Sequence, residues 1–188
     1  MTNNLSAWHD YFVTVAQVSA TLAGLLFVGV TISLDHLLQG RGYLYRAWAA
    51  LLLQFETLLV GLFALIPGQP QQWLGAEYIA TGIAVLVAIR AFGYFFRDDG
   101  QSAVLGSTGV RAIRRILLYI ATLLPSFSGV LLLLRKEGAL LWLVPAEVIC
   151  LYLSFGNAWV FAVEIPRRQK EAADRAARVD YAAASSRT

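Results

Sequence analysis

The sequence predicts an all-α integral-membrane protein, a helical bundle with five transmembrane helices. The chain is 58% hydrophobic and 14% charged, with a mean hydropathy of +0.61, whereas soluble domains are about one-half apolar and about one-quarter charged. Its apolar residues form five segments near the roughly 20 residues that cross about 30 Å of hydrocarbon. The segments cover residues 11–34, 44–66, 73–96, 113–134 and 139–163. None alternates with the period of two that β-barrel strands require.

The connections indicate how these segments follow one another. We expect the first to be a span rather than a secretory signal, because Asp10 flanks it and neither a basic region nor a small-residue cleavage site accompanies it. Polar turns at 67–70 and 135–138 are short, so the helices that they join are antiparallel neighbours. The stretch 97–115 has glycines and arginines but no phosphate-loop pattern, which predicts a plain cytoplasmic connection. Residues 1–165 therefore form one bundle, followed by a polar tail at 166–188.

The distribution of lysine and arginine predicts the sidedness of the bundle. With five crossings, thirteen of the fifteen basic residues fall on the face that carries the tail, and only Arg135 and Lys136 fall on the other. Under the positive-inside rule this places the N-terminus outside and the C-terminus in the cytoplasm. Arg167, Arg168 and Lys170 of the tail are then expected to meet anionic lipid headgroups.

Several classes of function are unsupported by the sequence. One cysteine and two histidines offer no disulfide and no histidine-rich metal site. The basic charge lies at the ends of apolar segments, as membrane topology requires, so we expect no nucleic-acid partner. Paired nucleophile–base motifs and zinc motifs such as H-E-x-x-H are missing as well. We therefore expect no enzymatic activity, no cofactor and no metal site.

Polar residues of the fifth segment recur at helical spacing. The row contains Glu147, Cys150, Ser154 and Asn157, at steps of three, four and three residues. At 100° per residue these side chains share one face of a helix. Lipid cannot satisfy such a face, so it must look into the bundle, at another subunit or at water.

The first segment carries a comparable polar line and a ladder of small residues. Thr14, Gln17 and Thr21 follow one another at steps of three and four, and beside them run Ala16, Ala20 and Gly24. Small residues four apart let a neighbouring helix approach closely, so we expect tight packing along this ladder. With polar faces on nearly every helix of a 20.6 kDa chain, we also expect a homo-oligomer.

Two glutamates stand deep within the predicted spans, Glu56 in the second and Glu147 in the fifth. No basic residue lies at comparable depth, so we expect both to be protonated or to face water. Carboxylates favour cations, and hydroxyl and amide oxygens can replace part of an ion's hydration. The sequence thus predicts a channel or transport-like protein for cations or protons. Its path combines the fifth-segment row, Glu147, Ser154 and Asn157, with Thr14, Gln17 and Thr21 of the first segment and with Glu56.

A different class of function remains open. The polar faces are equally typical of interhelical hydrogen bonding and close packing in membranes. The chain would then be a non-conducting partner subunit that regulates a larger membrane complex.

The run WHDYFVTVAQVSATLAGLLFVGVTISL, residues 8–34, resembles the opening helix of a loose group of small bacterial polytopic inner-membrane proteins. The resemblance covers about one-seventh of the chain and depends on small and apolar residues. It implies a multi-pass location in a bacterial inner membrane. It implies no active-site residue.

Overall fold

Five long helices make up the described part of the bundle in this computed structural model. The structure describes residues 5–34, 41–95 and 108–164, together with Arg167, Glu171, Asp174, Arg175 and Arg178 of the tail. The helices are α1 (His9–Ile32), α2 (Arg41–Ala64), α3 (Gln71–Phe95), α4 (Thr108–Leu133) and α5 (Leu143–Trp159). All five contain segments long and apolar enough to cross a membrane, and the described residues include no strand. The predictions of an all-helical fold and of five membrane-spanning segments are confirmed at this level.

The fifth predicted segment is not one continuous α-helix. A 3₁₀ turn, Ala139–Trp142, precedes α5, and a π-helical turn, Val160–Glu164, follows it. Pro145 in the first turn of α5 has no N–H with which to bond the carbonyl of Leu141, so the α-helical ladder does not extend back through that residue. A similar 3₁₀ turn, Leu5–Trp8, leads into α1.

The core clusters show that consecutive helices run in opposite directions. One cluster gathers the beginnings of α1, α3 and α5 with the ends of α2 and α4; its members include Phe12, Val60, Leu74, Leu132 and Leu140. A cluster at the other end joins the end of α1 to the beginning of α2 and the end of α5; it includes Leu26, Ala47, Ala50 and Phe161. We call these the first end and the second end of the bundle. The positive-inside prediction assigns the first end to the outside.

Glycines allow close approach at two helix crossings. A Cβ on Gly61 of α2 would lie 3.1 Å from the Cβ of Ala16 in α1, and a Cβ on Gly129 of α4 would lie 2.5 Å from the carbonyl oxygen of Gly75 in α3. Ala16 of the predicted ladder therefore packs inside the chain. Ala20 and Gly24 are exposed instead, and a Cβ on Gly24 would meet nothing within 4 Å.

Side-chain hydrogen bonds to the backbone tie helix ends together. At the second end, the Ser33 hydroxyl donates to the carbonyl of Phe161 at 2.7 Å. At the first end, the Ser128 hydroxyl donates to the carbonyl of Ala139 at 2.8 Å. All four residues are buried, so each bond is shielded from competing water and fixes the relative height of two elements.

The outer surface of the bundle carries large apolar side chains on all five helices, as contact with lipid requires. Large side chains point outward along their full length, among them Phe27, Phe55, Val87, Ile113 and Phe155. Buried side chains, by contrast, include polar ones such as Gln54, Glu56 and Glu147. This inversion of the usual soluble pattern supports a membrane location.

Most of the predicted tail, with Arg168 and Lys170, lies outside the described residues. Within the described part, Arg167 Nε and Glu171 Oε1 form an i,i+4 ion pair of 3.1 Å. Pairs of this kind support solvated helices by a few tenths of a kcal/mol (about 0.3–0.5).

Candidate functional site

The polar row of the fifth segment faces the interior of the bundle. Glu147, Cys150, Ser154 and Asn157 are all buried along α5. They project on one face because they follow the helical repeat, and the opposite face carries exposed Val148, Tyr152, Phe155 and Trp159. The row therefore runs along the inside of the bundle from the neighbourhood of the first end toward the second.

Glu56 of α2 meets this row at Glu147. Glu56 is eight residues before Ala64, where its membrane-spanning segment ends, and Glu147 is eight residues after Ala139, where its own begins. At 1.5 Å per residue both lie about 12 Å from the first end. The two carboxyl groups are 1% and 3% exposed, respectively, and interact electrostatically with each other. The structure thus brings together two residues that the sequence identified separately.

The carboxyl pair has hydroxyl neighbours but few hydrogen bonds. The Thr57 side chain lies beside Glu147, and that of Thr122 lies beside Glu56. The Thr122 hydroxyl donates to the carbonyl of Leu118 in its own helix at 3.1 Å. Both oxygens of Glu56 and Oε2 of Glu147 have no hydrogen-bond partner among the described residues.

Further buried polar groups without partners in the described part of the chain accompany the pair. They are the Gln54 amide oxygen and nitrogen and the hydroxyls of Ser19, Thr57 and Ser154. A buried polar atom without a hydrogen bond costs about 1–3 kcal/mol, so proteins rarely retain several of them without a reason. A dry packing interface would pair such groups with one another. Oxygens of these types can hydrogen-bond water or coordinate a small cation.

Neither carboxyl group has an ion-pair partner among the described residues. Among the described residues, Glu147 and Thr122 act on Glu56, and Thr57 acts on Glu147. Two negative charges side by side in a low-dielectric interior would cost several kcal/mol without a counter-charge. A proton or a cation on the pair removes that cost, and this is the chemistry that the arrangement supports.

The second end of the row carries positive charge. The amide oxygen of Asn157 accepts hydrogen bonds from Arg46 Nη2 at 3.4 Å and from Arg114 Nη2. Arg46 comes from α2 and Arg114 from α4, so three helices converge on one acceptor. Sequence reasoning placed these arginines at helix ends for topology alone and missed their common contact with Asn157.

Tyrosines occupy the side of the pair that faces the first end. Tyr11 of α1 and Tyr78 of α3 both lie within electrostatic reach of Glu147. The Tyr78 hydroxyl donates to the carbonyl of Val60 at 3.2 Å, whereas the buried hydroxyl oxygen of Tyr11 has no partner among the described residues. Tyr11 as a whole is only partly buried, although its hydroxyl oxygen is buried.

The polar line of α1 does not join this interior row. Thr14, Gln17 and Thr21 are exposed on the outside of the bundle, because the opposite face of α1, with Phe12 and Leu26, packs into the core. The predicted path, which combined the α5 row with this line of α1, is therefore not assembled within one chain.

Local hydrogen bonds explain how threonines tolerate this outward position. The hydroxyl of Thr14 donates to the carbonyl of Asp10 at 2.7 Å, and that of Thr21 donates to the carbonyl of Gln17 at 2.8 Å. Such i−4 bonds satisfy a hydroxyl without any neighbouring helix. Gln17 and Thr21 line an open groove of about 590 Å³ between α1 and α5, which Tyr152 and Phe155 border on the other side.

The described residues include no cluster of three or more histidine, cysteine or acidic side chains that could hold a metal ion. Two carboxyl groups and two threonine hydroxyls are hard oxygen ligands, which suit a proton or an alkali or alkaline-earth cation better than a transition metal.

Comparison with protein-family models, with curated proteins and with solved structures finds no match for this chain.

Proposed function

We propose that this protein is a transport-like membrane protein that binds protons or small cations at the Glu56–Glu147 pair. The observation that carries the proposal is the position of the pair: two buried carboxyl groups within electrostatic range of each other, about 12 Å deep, with no basic partner among the described residues. Retaining such a pair is costly unless a bound cation or proton offsets its charge. We place the protein in a bacterial inner membrane, with the first end outside.

The arrangement favours coupled transport over an open channel. Arg46 and Arg114 stand at the second end of the same buried row. A cation within about 4 Å of a guanidinium group meets roughly 4 kcal/mol of repulsion at an effective dielectric constant of 20. We infer that the charge of Arg114 opposes the entry of cations at the second end, and that cations reach the pair from the Tyr11 side, toward the first end. A site reached from one side at a time is typical of alternating access.

Ion flux into liposomes that contain only this protein tests the proposal. Wild-type protein is expected to move protons or alkali cations above the rate of empty liposomes when a pH gradient or a membrane potential is applied. Glu147→Gln should abolish that flux, since the amide keeps the shape of the side chain but cannot ionise. Glu137→Gln is the matched control. Glu137 lies exposed in the turn before α5, so this substitution makes the same change of charge outside the site. Wild-type flux equal to that of empty liposomes would contradict the proposal.

A second function is supported by a specific feature of the outer surface. The groove between α1 and α5 exposes the Gln17 amide and Tyr152, which is 72% exposed, on a surface otherwise suited to lipid. Polar side chains at that position favour a further helix, either of a second copy of this chain or of another membrane protein. The chain would then be a non-conducting partner subunit, or a homo-oligomer that pairs through α1.

The mass of the detergent-solubilised particle separates these outcomes. A particle with the protein mass of two or more chains, reduced to one chain by Gln17→Leu, supports pairing through the groove. A wild-type particle of one chain would count against self-association.

A further inference from the structure

We propose that the carbonyl oxygen of Ala121 completes a sodium site at the Glu56–Glu147 pair, and that the pair exchanges one sodium ion for one proton. The inference rests on the proposed function and names its cargo. Four features carry it: a backbone carbonyl that a proline deprives of its donor, the position of that carbonyl, a set of oxygens without hydrogen bonds, and the charge of the pair.

The first feature is a break in the hydrogen bonding of α4. Pro125 lies inside this helix and has no N–H with which to bond the carbonyl of Ala121, four residues earlier. The Ser126 hydroxyl does not replace that donor, because it has no hydrogen-bond partner among the described residues. Ala121 is fully buried, so bulk water does not reach its carbonyl oxygen. In membrane transporters, carbonyls released from helical bonding serve as ligands for sodium.

The second feature is the position of this carbonyl beside the carboxyl pair. Ala121 packs with Leu53 of α2 and Cys150 of α5 in one buried cluster. Leu53 is three residues before Glu56, and Cys150 is three residues after Glu147. Residues three apart share a face of a helix, so Ala121 packs against the same faces of α2 and α5 that carry the two carboxyl groups.

The direction of the carbonyl agrees with this position. Helix carbonyls point toward the C-terminus of their helix, and α4 ends at the first end. Ala121 is twelve residues before Leu133, where its membrane-spanning segment ends, so it lies about 18 Å from the first end. Glu56, at about 12 Å, inclines its side chain toward the beginning of α2, away from the first end. The two groups therefore point toward each other, and Thr122, next to Ala121, lies beside Glu56.

The third feature is the set of oxygens that the site can offer. Both oxygens of Glu56, Oε2 of Glu147 and the Thr57 hydroxyl have no hydrogen-bond partner among the described residues, and the Ala121 carbonyl adds one more. Ca²⁺ takes about six to eight oxygen ligands, and Mg²⁺ usually keeps several waters. A smaller, buried set of oxygens suits a monovalent cation better, because it can replace that ion's weaker hydration.

The fourth feature is the charge of the pair. The titratable groups that face it from other positions are Tyr11 of α1, Tyr78 of α3 and Cys150 of α5, which are neutral when protonated, and α4 supplies uncharged Thr122. Without sodium, two protons make the pair neutral. With one sodium ion, one proton is enough. Sodium binding therefore breaks one carboxyl O–H bond and releases that proton to solvent, so the exchange moves no net charge.

Equilibrium binding of radioactive sodium to purified protein in detergent tests the site, with N-methyl-D-glucamine holding the ionic strength constant. Wild-type protein should release one proton per sodium ion bound, which a pH indicator detects. Sodium affinity should rise about tenfold per pH unit while the pair holds two protons. Pro125→Ala should weaken sodium binding roughly tenfold, because the alanine N–H bonds the carbonyl of Ala121. Pro145→Ala is the matched control: Pro145 is exposed, and the carbonyl four residues earlier belongs to the turn before α5.

Thr57→Val provides a second variant, which keeps the shape of the side chain but removes one oxygen ligand and should also weaken sodium binding. Thr21→Val is its control, because the exposed Thr21 hydroxyl donates within its own helix. Absence of sodium binding, with liposome proton flux that still depends on Glu147, would overturn this inference and leave the proposed function intact. Absence of both sodium binding and flux would contradict the proposed function as well. Wild-type sodium affinity in both Pro125→Ala and Thr57→Val would overturn the ligand set, and sodium binding without proton release would overturn the exchange.

Discussion

The crossing of α3 and α4 offers a direct test of how this bundle is held together. Replacing Gly129 by alanine adds one Cβ at the point of closest approach between the two helices. That atom would lie 2.5 Å from the carbonyl oxygen of Gly75, 3.0 Å from Cγ1 of Ile79 and 3.1 Å from Cβ of Tyr78. The nearest atom belongs to the backbone, which cannot rotate away, so the helices themselves must move.

The size of the movement sets the size of the effect. Ordinary contact at such a Cβ begins near 3.4 Å, so the two helices must separate by about 0.9 Å locally, and a gap of that size forfeits a quarter to a half of each dispersion contact along the crossing. Overpacking of this kind costs about 1–3 kcal/mol. For a chain of this length, about 2 kcal/mol lowers the thermal midpoint by roughly 4–8 °C.

Tryptophan fluorescence of detergent-solubilised protein during heating measures this midpoint. Gly24→Ala is the control, because a Cβ there meets nothing within 4 Å and alanine is the better helix former by about 1 kcal/mol. Its midpoint should be unchanged or slightly higher. Equal midpoints for Gly129→Ala and wild-type protein would refute the close crossing of α3 and α4.

Three further predictions concern the carboxyl pair, a buried hydrogen bond and sidedness. Glu147→Gln should raise the thermal midpoint by a few degrees while abolishing flux, because it removes a costly buried carboxyl group at the expense of function. Tyr78→Phe should destabilise the bundle by about 0.5–1.5 kcal/mol, measured by the same heating assay, because the carbonyl of Val60 loses the hydroxyl that bonds it at 3.2 Å. Cysteines introduced at Asn3 and Asp180 should react with a membrane-impermeant thiol reagent from opposite sides of the membrane.

Controls accompany these variants. Tyr152→Phe is the control for Tyr78→Phe, because it removes a hydroxyl from an exposed tyrosine. Its thermal midpoint should be unchanged. A lower midpoint for Tyr152→Phe would mean that losing any tyrosine hydroxyl destabilises the protein. The native Cys150 is buried and should remain unlabelled in the sidedness assay. Labelling of positions 3 and 180 from the same side would contradict an odd number of crossings.

Hydrophobic length predicted the helices well, and helical periodicity predicted which side of α5 turns inward. Composition and segment length are enough to recognise spans because the bilayer fixes both. Hydrophobic length does not predict where regular α-helix begins and ends within a span, because that depends on backbone hydrogen bonding. In the fifth segment regular α-helix begins at Leu143, near Pro145, and ends at Trp159, where a π-helical turn follows.

Periodicity alone did not determine the orientation of α1. Thr14, Gln17 and Thr21 follow the helical repeat as closely as the α5 row does, yet they are exposed. The physical reason is that threonine satisfies its hydroxyl within its own helix, whereas Glu147 and Asn157 cannot. A row with a carboxylate at its deepest point is thus a better indicator of an interior face than a row of hydroxyls, and exposed Gln17 shows that an amide alone does not indicate one.

Contacts between residues of different helices could not be predicted from the sequence. The meeting of Glu56 with Glu147 depends on how α2 packs against α5, although their equal distance from the same membrane face offered a usable signal. The convergence of Arg46 and Arg114 on Asn157 had no such signal, since arginines at helix ends are common in any multi-pass protein. Single-helix patterns therefore predict faces, and only packing predicts which faces meet.

The central claim is that Glu56 and Glu147 act as one binding site, and proton flux in liposomes across a double-mutant cycle tests it most directly. Flux is compared for wild-type protein, Glu56→Gln, Glu147→Gln and the double variant, with equal amounts of folded protein. Residues that act as one unit are grossly non-additive. We predict that each single variant loses as much flux as the double variant. Independent, additive losses, or flux that survives in the double variant, would contradict the account.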